Sequence, residues 1–336
     1  MKIKRNALRT PTLVDVAQAA GLSPITVSRA LNTPEIVRPK TVAKVLAAVE
    51  STGYIPNLLA GGLASRRSKL VTVVVPQINN SMFVDTIQSI NNELATRGYH
   101  MLLSVVGYDN QKESDMISTI LSRRPDGIVL TGIHHSHSLK KAIINTSVPV
   151  VEIWDLTPTP IDMLVGFSHE KAGARIGAYL LEKGCKNFGL IWTEDKRAQQ
   201  RKKGLIEALK AQSDIKFFEV NVPLPASIAL GREGLIELLQ HEPNLDAIAC
   251  SSDTLAHGVI IEAGIQNISV PNKLSVIGFG DLDIAKDTYP ALTTIQIDRW
   301  KIGKDAATML MNKIEGKSID NPIMDIGFSL VIRQSA

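Results

Sequence analysis

From Leu70 onward, short runs rich in β-branched residues alternate with amphipathic helical stretches, and that alternation leaves few folds open. Strand-like runs at 71–75, 101–106 and 127–131 are followed by helical patterns at 82–97, 112–123 and 139–145. Residues 148–154 add a strand, and a second series runs through 188–192, 217–220, 247–251 and 274–279. A parallel return needs a crossover long enough for a helix, so strands that alternate with helices predict parallel sheets. Two such series predict two doubly wound lobes. Ligands of open parallel sheets bind beyond the carboxyl ends of the strands, which makes the cleft between the lobes the candidate ligand site.

Ahead of this α/β body the pattern is helical. Thr12 caps a helix over 13–20, with Asp15 three residues on and Val16, Ala17 and Ala20 on one face. Gly21 breaks it. Ser23 is an N-cap for the next helix, Pro24 fills the first helical position where its missing N–H costs nothing, and Val27 and Leu31 point inward. Pro39 opens a third helix whose Val42, Val45, Leu46 and Val49 form a core stripe, ended by Gly53. After Pro56, Asn57 caps a short helix over 58–64, which leads into the basic linker Ser65-Arg66-Arg67-Ser68-Lys69.

Charge separates the two parts. Residues 1–69 hold eleven Lys or Arg against three acids, a net of +8, which leaves −4 on the remainder of a chain whose total is +4. A basic helical head on an acidic body suits a polyanionic partner. Two helices joined by a glycine turn predict a helix-turn-helix, whose second helix, 23–32, presents its N-terminal residues to base edges in the major groove. Pro24 and Ile25 offer apolar contact to a thymine methyl, Arg29 a hydrogen bond to guanine or phosphate, and Thr26 and Ser28 phosphate contacts.

Four blocks carry a closer likeness: Thr12-Leu13-Val14-Asp15-Val16-Ala17, Ala20-Gly21-Leu22-Ser23, Thr26-Val27-Ser28-Arg29 and Gly53-Tyr54-Ile55-Pro56-Asn57. In sequence and spacing they resemble the head of LacI/GalR-family transcriptional regulators, and the resemblance runs along nearly the whole chain. It implies a helix-turn-helix domain at 1–57, a hinge helix and linker at 58–69, and an effector-binding and dimerisation domain at 70–336. That body would be similar to periplasmic sugar-binding proteins, with crossovers near 163–168 and 296–298. It also implies operator DNA and a second copy of the chain as partners. Thr12, Ser23 and the recognition-helix residues would contact DNA together with Asn57, Ala60 and Leu63, the last as a wedge in the minor groove. Gly61 and Gly62 weaken so short a helix by about 1 kcal/mol each relative to Ala, so its ordering would require DNA.

Other classes find little support. Gly316-Lys317-Ser318 resembles the end of a phosphate loop, but Met311 stands where the first glycine is required and a helix precedes it. No G-x-S-x-G, H-E-x-x-H or G-x-G-x-x-G pattern is present. His134, His135 and His137 cluster without companion Cys or carboxylate spacing, and Cys185 and Cys250 are isolated, so no metal, disulfide or cofactor is expected. Apolar runs are too short to span a bilayer, and no apolar leader follows Met1, so a cytoplasmic chain is expected rather than an envelope sugar-binding protein.

The loops after the strands carry the ligand chemistry. Asn79, Asn80 and Phe83, His134 and His135, Glu152, Trp154 and Asp155, Trp192, Arg197 and Arg201, Ser252 and Asp253, Asp281, and Asp298 and Arg299 suit a polyhydroxylated ligand. Aromatic faces stack on sugar carbons, amides and carboxylates bind hydroxyls, and arginines take a carboxylate. The candidate set is Asn80, Phe83, His134, Glu152, Asp155, Arg201, Asp253, Asp281 and Arg299, although Asp253 and Asp281 also fit as helix caps. Arg201 lies three residues before Gly204, where many family members place a basic ligand residue; Ser252-Asp253 departs from the usual Asn-Asp. Pro149-Val150-Val151-Glu152, Asp162, Val165-Gly166-Phe167, Gly278-Phe279, Arg299 and Asp325-Ile326-Gly327-Phe328 look most like the gluconate-utilisation branch. The expected effector is a sugar acid such as gluconate or a ketogluconate, held by Arg201 and Arg299, with a neutral sugar as the alternative.

Overall fold

The computed structural model describes residues 10–55, 67–78, 81–107 and 110–336, which divide into a head ending at Ser68 and a body from Lys69 to Ala336.

In the head, α1 (Leu13–Ala20), α2 (Pro24–Asn32) and α3 (Pro39–Thr52) begin where the capping residues stand. The Thr12 backbone N–H and hydroxyl both donate to Asp15 Oδ2 at 2.7 Å, and the Ser23 hydroxyl accepts the Thr26 N–H at 3.2 Å. Gly21 adopts φ 57°, the left-handed conformation that lets the chain turn between α1 and α2 without a Cβ penalty. Val16, Ala17, Ala20, Val27, Ala30, Val45 and Ala48 form the core. Leu46 does not join the stripe expected of it and is 55% exposed, because the buried face of α3 centres on Val45 and Ala48 rather than on the 42–46 edge.

The body contains two six-stranded sheets. The first has the order β11-β5-β4-β3-β1-β2, from β1 (Leu70–Val75), β2 (His100–Val105), β3 (Gly127–Thr131), β4 (Val150–Ile153), β5 (Met163–Gly166) and β11 (Ile323–Asp325). The second has the order β12-β10-β9-β8-β6-β7, from β6 (Asn187–Thr193), β7 (Lys216–Val222), β8 (Ala247–Cys250), β9 (Ser275–Gly280), β10 (Thr293–Gln296) and β12 (Ser329–Val331). Pairing is parallel except at β10–β12, where the closing strand runs back along the edge. The crossovers expected after β5 and β10 are present, and the chain crosses a third time between β11 and β12, at 326–328.

Helices cover both sheets. Those that matter for the site are α4 (Val84–Thr96) and α6 (His137–Thr146) on the first lobe, and α7 (His169–Glu182), α8 (Lys196–Lys210) and α10 (Asp253–Ile265) on the second. Helix α12 (Arg299–Ile314) returns to the first lobe, where it packs on α4. Helices α7 and α8 cross so closely that a Cβ on Gly173 would lie 1.9 Å from the Arg201 carbonyl oxygen, and one on Gly204 1.9 Å from that of Glu170. Glycine is what allows this crossing, and the crossing fixes the backbone of Arg201. Among the described residues no helix is long and apolar enough to cross a membrane.

Candidate functional site

On the head, α2 offers the surface expected of a recognition helix. Pro24, Ile25 and Arg29 are exposed, Ile25 at 65%, so the helix leaves apolar and cationic groups uncovered by its own core. The hydroxyls are less free: Ser23 Oγ and Thr26 Oγ1 lie 2.9 Å apart, and Ser28 accepts from the Asn32 amide through both its carbonyl and its hydroxyl. Thr12 is held by Asp15, so its visible role is to cap α1. Asn57, Ala60 and Leu63, with the glycines between them, lie outside the described residues, as do Asn79 and Asn80 in the body.

In the body, two adjoining cavities of about 280 and 340 Å³ open between the lobes and share Asp195, Arg197 and Leu224 as lining. Their walls are the carboxyl ends of the parallel strands, the place that sheet geometry predicts. Pro76 and Gln77 follow β1, Gly132 and His134 follow β3, Trp154 and Asp155 follow β4, Arg197 follows β6, and Ser251 and Ser252 follow β8. Asp195 caps α8 by accepting the Ala198 N–H, and Arg197 and Arg201 come up on its cleft side next to Gln200, which reaches His134.

A chain of hydrogen bonds holds the inner wall. His169 Nε2 donates to the Trp154 carbonyl at 2.8 Å, which leaves its Nδ1 lone pair to accept Arg201 Nη1 at 2.9 Å. The imidazole is therefore neutral, and burial together with the Arg201 and Arg197 charges holds its pKa well below the usual value. Arg201 Nη2 donates to the Ser251 carbonyl at 2.9 Å, and its guanidinium lies 3.9 Å from the centre of the Phe279 ring. Trp154 adopts φ 69°; its indole N–H donates to Thr86 Oγ1, whose hydroxyl in turn donates to the Arg299 carbonyl. Phe83 meets Trp154 edge to face at 5.4 Å and carries the Arg197 guanidinium 5.2 Å above its ring.

The outer wall is ionisable. Asp155 is buried, with Oδ1 accepting the Leu156 N–H at 2.9 Å, and burial raises its pKa to about 6 against the opposing influence of that N–H and of Arg197. His134 Nε2 accepts the Gln200 amide across the cleft at 3.0 Å, and burial followed by the Lys196 charge lowers its pKa.

The structure thus brings Phe83, His134, Asp155 and Arg201 to the cavities and takes four other candidates away. Glu152 points off the cleft: it accepts the Ile161 N–H at 2.7 Å, lies 3.5 Å from His135 Nε2, and burial raises its pKa. Asp253 is spent inside the second lobe, accepting the Leu282 N–H at 2.7 Å and the Thr294 hydroxyl at 2.6 Å. The Asp281 carboxylate takes Arg333 and the Gln296 amide, each at 2.7 Å. Arg299 puts Nε and Nη2 on Asp85 Oδ2, both at 2.8 Å, and donates Nη1 to the Gly280 and Asp281 carbonyls. It therefore ties the first lobe's α4 to the loop after β9 and lines neither cavity.

His169, Ser251 and Gln200 were not in the expected set. For Gln200 the signal was available, because 197, 200 and 201 share one face of a helix whose cap is Asp195. Among the described residues no cluster of His, Cys, Asp and Glu is arranged to hold a metal ion.

Comparison with known proteins covers both parts. The family described as "Bacterial regulatory proteins, lacI family" matches residues 12–57, and "Periplasmic binding proteins and sugar binding domain of LacI family" matches 68–329. The chain is 35% identical to the HTH-type transcriptional regulator GntR of Pseudomonas aeruginosa over the full length of both. Its fold is similar to that of a LacI-family transcriptional regulator from Silicibacter pomeroyi, with TM-score 0.91 and 31% identity over 97% of this chain and 99% of that one. It also matches the lac repressor dimer bound to operator and the anti-inducer ONPF, with TM-score 0.84 and 24% identity over 97% and 99% of the two chains.

Proposed function

The chain belongs to the LacI family of bacterial transcriptional regulators, and on that premise we propose that it is a homodimeric, cytoplasmic repressor whose operator affinity is set by a sugar acid of the gluconate type. It is a DNA-binding regulator and not an enzyme. The observation that carries the sugar-acid reading is the pair of guanidiniums, Arg197 and Arg201, four residues apart on α8 and both lining the cleft beside Phe83 and Trp154. Cationic forks next to aromatic faces suit a ligand with an anionic end and a polyhydroxylated chain. The partner of Arg201 in this reading is Arg197, since Arg299 is held elsewhere. The sequence blocks of the gluconate-utilisation branch and the likeness to GntR of Pseudomonas aeruginosa support the same choice. On the head, exposed Arg29 and Ile25 support base-edge contact, with Asn57, Ala60 and Leu63 as further contacts of the hinge.

The test is a thermal-shift screen of the full chain with gluconate, ketogluconates and glucose, followed by operator binding with the hit. A ligand at a hundred times its Kd adds about 2.7 kcal/mol to stability, a shift that melting resolves. One or more of the acids raises the melting temperature and changes operator affinity; an equal shift by glucose or another neutral sugar overturns the reading.

A further inference from the structure

The geometry points to a more specific ligand than a sugar acid at large: Arg197 and Asp155 together read a carboxylate and the hydroxyl on the carbon next to it, so that the site selects 2-hydroxy acids. The inference rests on the sugar-acid reading and adds to it which end of the molecule is recognised and by what.

The two arginines of the cleft are not equivalent. Arg201 is built into the wall, with Nη1 given to His169, Nη2 to the Ser251 carbonyl and its face on Phe279, so that both ends of its fork are taken. Arg197 is held from one side only, over the Phe83 ring, and its Nη1 is buried without a hydrogen-bond acceptor. A buried guanidinium N–H with no acceptor is costly, and here it borders both cavities. Asp155 is its counterpart. The residue is only 1% exposed, Oδ1 is fixed by the Leu156 N–H, and Oδ2 is buried with no hydrogen-bond donor. The neighbouring Gln200 amide gives its geometric hydrogen bond to His134 and, standing beside Asp155, lowers the pKa of that carboxyl.

A lone donor on a cation and a lone acceptor on a carboxyl thus face one cavity of about 280 Å³ without satisfying each other. They are close enough that Arg197 is the strongest charge acting on the Asp155 carboxyl. A carboxylate alone would satisfy Arg197 and leave Asp155 Oδ2 without a donor. A hydroxyl alone would satisfy Asp155 and offer the guanidinium at best a neutral oxygen, a weaker acceptor than a carboxylate. A carboxylate with a hydroxyl on the adjacent carbon satisfies both at once, with the hydroxyl donating to Asp155 Oδ2 and the carboxylate accepting from Arg197 Nη1. Sites that hydrogen-bond a ligand hydroxyl reject the analogue without it strongly, because the buried partner is left unpaired.

Calorimetry on the full chain with D-gluconate, 2-deoxy-D-gluconate and D-glucose tests this, since the second probe differs from the first only by the hydroxyl in question. Gluconate is expected to bind at least about tenfold more tightly than either of the others. In Asp155→Ala the gap between gluconate and its 2-deoxy analogue should close to within about threefold, and in Arg197→Gln the gap between gluconate and glucose should close likewise. A circular-dichroism melt verifies that each variant folds, and the comparison of the three ligands on the parent needs no variant. If the parent binds gluconate and 2-deoxy-D-gluconate alike, or either variant keeps the parental gap, the inference is overturned while the sugar-acid reading stands. If glucose matches gluconate, or gluconate does not bind, the reading fails and the inference with it.

Discussion

Replacing Arg299 by alanine separates the structural account of this residue from the expectation that it binds ligand. Its side chain is 12% exposed and makes two kinds of contact. The pair with Asp85, a residue 45% exposed, is screened and contributes about 0.5–1 kcal/mol. The bonds from Nη1 to the Gly280 and Asp281 carbonyls come from a charged donor at a better buried site. Such bonds contribute about 1.5–3 kcal/mol each, less what water recovers when the side chain is gone. Together they predict a loss of roughly 2–4 kcal/mol, which for a body of this size lowers the melting temperature by roughly 4–8 °C. Gluconate affinity should stay within about threefold of the parent, and a double-mutant cycle with Asp85→Ala should return a coupling of about 0.5–1 kcal/mol. Differential scanning calorimetry and ligand titration on one preparation read both quantities. An unchanged melting temperature with a tenfold or greater loss of ligand affinity, taken as about 1.4 kcal/mol, would refute the argument and return Arg299 to the binding set.

Three further outcomes are expected. Gly204→Ala places a methyl 1.9 Å from the Glu170 carbonyl oxygen, so α7 and α8 must part; a melting-temperature loss worth at least about 3 kcal/mol is expected, and a variant as stable as the parent would show that the helices do not meet this closely. Asp155 has a folded pKa raised to about 6, so the folded chain binds the extra proton and loses stability as pH rises from about 4 through 6. Between pH 5 and 7 this amounts to about 1 kcal/mol, which Asp155→Asn should abolish in melts of the ligand-free chain; identical pH profiles for parent and variant would contradict it. Arg29→Ala should reduce discrimination between the selected operator and a scrambled duplex by about 1–3 kcal/mol in fluorescence anisotropy, and preserved discrimination would exclude Arg29 as a base reader.

What the sequence disclosed was what local chemistry decides. Thr12 with Asp15, the turn at Gly21 and Pro24 behind Ser23 place α1 and α2 because caps and turns act over three or four residues. Alternation of strands and helices gave the lobes and put the cleft at the strand ends, so Phe83, His134, Asp155 and Arg201 could be named in advance. Three of the four candidates that the fold places away from the cavities share one cause. Asp253 meets Thr294, Arg299 meets Asp85, and Asp281 meets Arg333 across 41, 214 and 52 positions, and no spacing rule shows that a carboxylate or guanidinium in a promising loop has already been satisfied by a distant partner. His169 escaped notice for the converse reason: its role depends on the Trp154 carbonyl and Arg201, which only the fold brings to its two ring nitrogens. The third passage between lobes was hidden because β11 and β12 are three residues each, too short for a periodic signal.

That third passage has a consequence for how such a gene can be cut and recombined. Because the chain is threaded between the lobes at 167–168, 297–298 and 326–328, no single break yields one intact lobe on each side. A fragment ending at 166 lacks β11 and the covering helix α12, while a fragment starting at 169 lacks β5 and still carries both of those pieces of the other lobe. Shuffling one lobe between relatives therefore requires several coordinated junctions, whereas a junction at 68/69 severs no sheet. Inheritance by exchange should accordingly move the reader of DNA as a block and leave the two walls of the cleft to change together, by point substitution.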